Sequence, residues 1–186
     1  DGALLFLQNA TPATSINVVD VASRRQLEVQ NPGCYGVYPA LKDSSRFSTL
    51  CGTGIVGTFT LNAARDAAPR KSSGKLFDAG ADPWFTHAER DADAYLFLSY
   101  KGKLTRVSLE GETAAVLDTA ELGPLAQGWA PRGFQPFALD AKNGVVYVLM
   151  HGEAFEGSHK NPSAEVWSYD LKARKLLARS PLAGLT

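Results

Sequence analysis

The chain has 186 residues, 45% of them apolar and 20% charged, and its 19 Lys and Arg are matched by 19 Asp and Glu. A formal net charge of zero excludes the basic footprint that a nucleic acid or an anionic membrane surface requires, and this composition excludes a disordered chain. The longest stretch with no polar residue other than Tyr, 144–150, falls far short of the roughly 20 apolar residues that cross a bilayer, and no basic segment followed by an apolar one opens the chain.

A chain of this length buries about 70% of its unfolded surface, so a soluble globular fold needs no metal to hold it. Apolar and polar residues alternate with a period of two nearly throughout, in runs bounded by Gly, Pro, Asn and Asp, which predicts short strands. In chain order these are 3–8, 16–21 and 26–29, then 35–40, 47–51, 58–61 and a weak strand near Leu76 and Phe77. They continue as 84–89, 94–100, 104–109 and 113–117, followed by one helical turn near 119–125. The last are 134–139, then 145–151 after an Asn143-Gly144 turn, 165–170 and 176–180. The predicted class is all-β.

A repeat refines this reading. Pro and Gly precede an aromatic residue at Pro32-Gly33 before Tyr35, at 80–83 before Trp84 and at 131–133 before Phe134, and the punctuation returns at 181–184. The step is about 50 residues with four strands in each period, the sequence mark of a β-propeller blade. A β-sandwich also spaces its strands about 8–12 residues apart, but the recurring punctuation favours the propeller. The expected organisation is a blade part at 1–31 and blades at about 32–80, 81–130 and 131–181. By its phase the repeat starts one strand into a blade and stops where the next first strand is due. Closing a four-bladed ring would need a strand from 181–186, which is too short. About half of a larger ring is therefore expected, with its open edges covered by the remaining blades or by a second copy of the chain.

Cys34 and Cys51 fall at the start of one predicted strand and near the end of the next, with the turn 42–45 between them. An antiparallel hairpin sets them opposite each other within disulfide reach. Closing a loop of about 15 residues stabilises by about 3 kcal/mol in the chain-entropy model. The alternative is two buried thiols. A disulfide implies an oxidising compartment such as a periplasm or the cell exterior.

The remaining motifs favour bland readings. Gly52-Thr53-Gly54-Ile55-Val56-Gly57 matches G-x-G-x-x-G, but a strand follows it where a dinucleotide site needs a helix N-terminus, so it is expected to form a wide hairpin turn. His151, Glu153, Glu156 and His159 are metal-ligand types in a loop after a strand, without the helical spacing of a zinc motif, and a solvated blade loop is expected. Gly157-Ser158-His159 lacks the second glycine of a nucleophile elbow. His87 reads as a packing or hydrogen-bonding residue, and Asp78, Asp82, Asp91 and Asp93 as turn formers without a calcium-loop spacing. Asn9-Ala10-Thr11 is a glycosylation sequon followed by Pro12, with no other sign of a eukaryotic secretory route. Trp84, Trp129, Trp167, Phe134 and Phe137 are expected in blade cores.

The stretch Gly128-Trp129-Ala130-Pro131-Arg132-Gly133-Phe134-Gln135-Pro136-Phe137, followed by Val145-Val146-Tyr147-Val148-Leu149-Met150-His151, resembles the heavy subunit of the quinoprotein amine dehydrogenases. So do Glu156-Gly157-Ser158-His159-Lys160 and Ala164-Glu165-Val166-Trp167. Cys34-Tyr35-Gly36-Val37-Tyr38-Pro39 with Leu50-Cys51-Gly52 is similar to the disulfide-bearing blade of that family. The resemblance, to methylamine and aromatic amine dehydrogenases, spans nearly the whole chain.

It implies a periplasmic heterotetramer of two heavy and two light subunits, with a seven-bladed heavy subunit. In that family the light subunit carries tryptophan tryptophylquinone, made from two of its own tryptophans, together with the catalytic base. A primary amine is oxidised to an aldehyde with release of ammonia, and electrons pass to a cupredoxin. The heavy subunit supports the light one and lines part of the substrate entrance through an N-terminal aromatic that has no counterpart here. The resemblance therefore carries over a disulfide of Cys34 with Cys51, and no catalytic, cofactor-binding or metal-binding residue. The tryptophans, in strands and a loop of repeated type, are not expected to be quinone precursors. A different class remains open, a propeller serving only as a binding module; a weaker one is a propeller lyase or hydrolase with its site at the ring mouth.

Overall fold

The computed structural model describes residues 2–122 and 128–182. These contain 16 strands in four antiparallel sheets and a 3₁₀ turn at Ser158–Lys160. The chain divides into two compact units, 1–79 with 108–115, and 80–107 with 116–186. None of the described helices is long and apolar enough to cross a membrane.

In the first unit, β1 (Leu4–Asn9), β2 (Ser15–Asp20) and β3 (Gln26–Gln30) form a sheet in chain order. β4 (Cys34–Pro39), β5 (Arg46–Cys51), β6 (Ile55–Thr60) and β7 (Arg70–Lys75) form the next. Alternation aims Phe6, Ile16, Val18 and Val29 at Phe47 and Phe59, and these residues make one core. Phe47 lies 5.0 Å from Phe6 and 5.0 Å from Phe59, centroid to centroid. Each such burial contributes about 1.5–3 kcal/mol. The link between the sheets is satisfied by buried Asn31, whose amide donates to the Cys34 carbonyl at 3.1 Å and accepts from Thr49 Oγ1 at 3.1 Å.

In the second unit, β8 (Trp84–Asp91), β9 (Ala94–Ser99), β10 (Lys103–Ser108) and β11 (Ala115–Glu121) pair with their chain neighbours. The last sheet holds β12 (Ala130–Pro131), β13 (Phe137–Asp140), β14 (Val145–His151), β15 (Glu165–Asp170) and β16 (Lys175–Pro181). β12 and β13 both pair with β14. Phe85, Leu96, Leu98 and Leu104 pack with Phe137, Val146, Val148, Met150, Trp167 and Tyr169 in a second core. The Tyr169 hydroxyl donates to the Glu121 carbonyl at 2.7 Å.

Several expectations are corrected. The fourth strand of the second sheet is Arg70–Lys75, not the Leu76-Phe77 region. It is an edge strand paired on one side, where charged residues are favoured over apolar ones. The fourth strand of the third sheet is displaced downstream to Ala115–Glu121. Residues 119–121 of the expected helical turn are thus strand, and 123–125 lie outside the described residues, as do 183 and 184 of the last Pro/Gly punctuation. The strand expected at 134–139 begins only at Phe137, as β13, and the two-residue β12 forms before it, outside the expected bounds. Gly133 at φ +103° turns the chain, and its N–H is drawn to the His159 carbonyl at 2.8 Å. Phe134 is consequently 86% exposed rather than in a core, whereas Phe137, Trp84 and Trp167 are buried and Trp129 half-buried.

Candidate functional site

Three constellations gather the chemistry-bearing side chains. The first is the β4–β5 hairpin. Cys34 and Cys51 are directly opposed in register, with Cα atoms 3.9 Å apart, and are joined by a disulfide. Both are buried. Arg70, at the start of β7, reaches across β6 to set Nη2 at 3.2 Å from Cys51 Sγ and 3.6 Å from Cys34 Sγ. Its guanidinium carbon lies 5.8 Å from the centroid of Phe59. Gly57 makes the crossing possible: a Cβ there would stand 2.5 Å from Arg70 Nε. The G-x-G-x-x-G segment is therefore a tight turn at 52–54, with the Gly54 N–H donating to the Cys51 carbonyl at 2.9 Å, while Gly57 lies within β6 as a groove for an arginine. The cysteine spacing announced the disulfide; nothing in the spacing announced Arg70.

The second is the loop after β14. It is not solvated at its base, because His151 and Ser158 are each 2% exposed. His151 Nδ1 lies 2.7 Å from the Gly152 carbonyl, an acceptor only, so Nδ1 carries the proton and Nε2 accepts from the Ser158 hydroxyl at 3.2 Å. Ser158 Oγ also accepts from the Phe155 N–H at 3.1 Å. Burial holds the His151 pKa below its ordinary value, opposed by the Gly152 carbonyl and reinforced by the Arg132 guanidinium. Arg132 is buried and donates to the Pro162 carbonyl at 2.7 Å.

His159 turns elsewhere and stacks on Tyr100 at 4.3 Å. Its pKa is lowered by burial and then by Lys160, while burial raises that of Tyr100. Glu153 and Glu156 are exposed, and among the described residues no group of three or more His, Cys, Asp or Glu is arranged to hold a metal. The Ser158–His151 pair has a carbonyl rather than a carboxylate behind it, and both members are enclosed. It fixes the base of the loop. His87 hydrogen-bonds Glu89 at 3.0 Å and the Phe137 carbonyl at 3.1 Å, linking β8 to β13. Asp82 accepts from Ser99 Oγ at 3.0 Å and the Lys101 N–H at 2.8 Å, which is loop-fixing chemistry. Asn9 donates to Ser15 Oγ at 2.8 Å.

The third is a cation clamp. Trp129 and Trp167 lie 5.5 Å apart, and the Arg179 guanidinium sits 4.5 Å from the first ring and 4.7 Å from the second. Arg179 binds Glu165 bidentately at 2.7 and 3.0 Å, and the Trp167 indole N–H donates to the same carboxylate at 2.6 Å. A tryptophylquinone needs two indoles bonded to each other. Here a guanidinium spans both rings and one N–H is committed to Glu165, so this pair does not fit as its precursor.

Sheets of this kind, one after another along the chain, define a β-propeller segment. The periplasmic gluconolactonase PpgL of Pseudomonas aeruginosa matches with a TM-score of 0.61 at 16% identity, over 100% of this chain and 56% of that one. The Pan2 WD40 domain of Neurospora crassa matches with a TM-score of 0.56 at 10% identity, over 96% and 52%. The Cps50 (Swd1) beta-propeller domain of Myceliophteria thermophila also gives 0.56 at 10% identity, over 98% and 53%. At such identities the likeness is one of fold.

Sequence narrows the class. The family model for the methylamine dehydrogenase heavy chain (MADH) matches residues 1–184. The methylamine dehydrogenase heavy chain of Methylorubrum extorquens is 26% identical over 187 residues, covering 96% of this chain and 44% of that protein. The chain belongs to the methylamine dehydrogenase heavy-chain family, and it spans less than half the length of this curated relative.

Proposed function

We propose that this chain is a non-catalytic, structural part of the propeller subunit of a periplasmic amine dehydrogenase. The observation that carries the reading is the family match across residues 1–184. In this reading a primary amine and water give an aldehyde, ammonia, two protons and two electrons, and the electrons leave through a cupredoxin. The tryptophan tryptophylquinone that accepts them first would reside on a separate light subunit. The disulfide favours an oxidising compartment, and with it the periplasm.

Residues 1–31, 32–80, 81–130 and 131–181 would each be a blade or blade part. Exposed apolar residues favour further sheets beyond them. In the first unit, exposed Leu5 stands opposite Val19 with Leu7 nearby on the same face of β1. In the second, exposed Tyr147 shares a face of β14 with Val145 and Leu149. The remaining blades of a seven-bladed ring, or a second heavy chain, would cover such faces.

The test is co-purification of the full-length protein from a periplasmic extract. A small, cysteine-rich partner with quinone absorbance, and amine-dependent reduction of an electron acceptor by the complex, are expected. A preparation that binds no such partner under native conditions removes the reading in favour of a propeller binding module.

A further inference from the structure

The fold seats the Arg70 guanidinium against the disulfide. Gly57 leaves the groove, Phe59 supplies a ring face, and Nη2 ends within 3.2 and 3.6 Å of the two sulfurs. The Nε atom is buried without a hydrogen-bond partner among the described residues. No carboxylate among them pairs with this guanidinium either. A half-buried cation resting on two neutral sulfurs is short of a counter-ion. Reduction of the disulfide would supply one.

We propose that Cys34–Cys51 is a redox-responsive clip, in which Arg70 stabilises the Cys51 thiolate of the reduced form and so makes the bond readily opened by a dithiol reductant. The exchange balances as follows. The reductant loses two S–H bonds and gains one S–S bond, and its two electrons break Cys34–Cys51. One of its protons goes to Cys34 and the other to solvent, leaving Cys51 as the thiolate paired with Arg70. A cation beside a cysteine lowers the thiol pKa and makes it the better leaving group. Nη2 is closer to Cys51, so Cys51 takes that role. Access comes from fraying: the pair closes the end of the β4–β5 ladder remote from the 42–45 turn, with one further backbone bond beyond it, Gly52 N–H to the Gly33 carbonyl at 3.0 Å. Reduction would remove the covalent tie between the start of β4 and β5, leaving the backbone bond at Gly52 and the Asn31 bridge from the Cys34 carbonyl to Thr49.

The experiment uses the full-length protein. Alkylation of the folded, reduced form is followed against pH and resolved by residue with mass spectrometry, and the oxidised form is equilibrated in dithiothreitol redox buffers. Cys51 is expected to titrate well below the ordinary thiol value of about 8.5. Arg70→Gln is expected to raise that titration and to make the disulfide roughly tenfold harder to reduce, about 30 mV more negative, while Arg70→Lys retains part of the effect. If Cys51 of the native sequence titrates at or above about 8.5, the proposal fails, whether or not Arg70→Gln folds. It fails equally if Arg70→Gln is reduced at the same buffer ratio as the native protein.

Discussion

Gly57→Ala isolates the geometry on which the first constellation depends. Gly57 lies inside β6 without a left-handed φ, so the backbone does not demand glycine there; space does. An alanine Cβ would stand 2.5 Å from Arg70 Nε, 2.9 Å from its Cζ and 3.0 Å from Nη2. The clash is relieved if the guanidinium, the far end of a flexible side chain, swings away and gives up its places on Phe59 and the two sulfurs. Overpacking of this kind destabilises by about 1–3 kcal/mol. Against it stands about 0.5–1 kcal/mol gained when alanine replaces glycine within a strand. The net expectation runs from near zero to a loss of about 2.5 kcal/mol.

With the arginine removed, the sign changes. In an Arg70→Ala background the groove is empty, and Gly57→Ala becomes neutral or stabilising by up to about 1 kcal/mol. Urea denaturation of the four oxidised proteins, followed by far-ultraviolet circular dichroism because the three tryptophans all lie in the other unit, closes the cycle and gives a coupling of about 1–3 kcal/mol. An equal effect of Gly57→Ala in both backgrounds would refute the groove, and with it the claim that Arg70 is held on the disulfide by design of the strand.

Phe137→Ala should lose about 3–5 kcal/mol of stability, whereas Phe134→Ala, three residues earlier and largely exposed, should stay within about 0.5 kcal/mol; comparable losses in urea denaturation would contradict the start of β13 at Phe137. Burial lowers the pKa of His151 and of His159 from the ordinary 6.5, so as the pH falls through that value the unfolded chain binds more protons than the folded one. Their contribution is intact above 6.5 and is lost as the pH drops from there towards their folded values; hydrogen exchange of the Phe155 amide should accelerate over that window beyond its intrinsic pH dependence, and unchanged protection would contradict the Ser158–His151 lock. Arg179→Met keeps the aliphatic stem but removes the cation from both indoles and from Glu165, and should shift the tryptophan emission and lower stability, the loss shrinking as salt is added; unaltered stability and emission would show that the clamp contributes nothing.

What the sequence discloses divides along a physical line. Strands whose two faces differ, such as β2 with Ile16 and Val18 inward, announce themselves through period-two alternation, because one face is buried and the other is not. β7 has no such contrast. Arg70-Lys71-Ser72-Ser73-Gly74-Lys75 is an edge strand held by its backbone ladder to β6, so its composition reports solvent and hides the pairing. The apolar pair just beyond it, Leu76 and Phe77, draws attention as a strand, yet both backbone N–H groups only close onto the Gly54 carbonyl, at 2.8 and 3.3 Å.

The sites divide in the same way. Two cysteines symmetric about a turn betray their pairing because ladder register is a function of sequence separation. A cation–sulfur contact between Arg70 and Cys51, 19 residues apart, obeys no such rule, since it depends on where a long side chain finds room. The visible trace of it is a missing side chain, Gly57, which the literal motif assigns to a phosphate loop. The Pro/Gly-aromatic punctuation shows the converse limit: Tyr35, Trp84 and Phe134 occupy equivalent places in the repeat, yet Trp84 is buried and the other two are exposed. Repetition conveys where strands begin. Whether a given ring is core or surface is decided by its neighbours, as the pull of His159 on Gly133 decides it for Phe134.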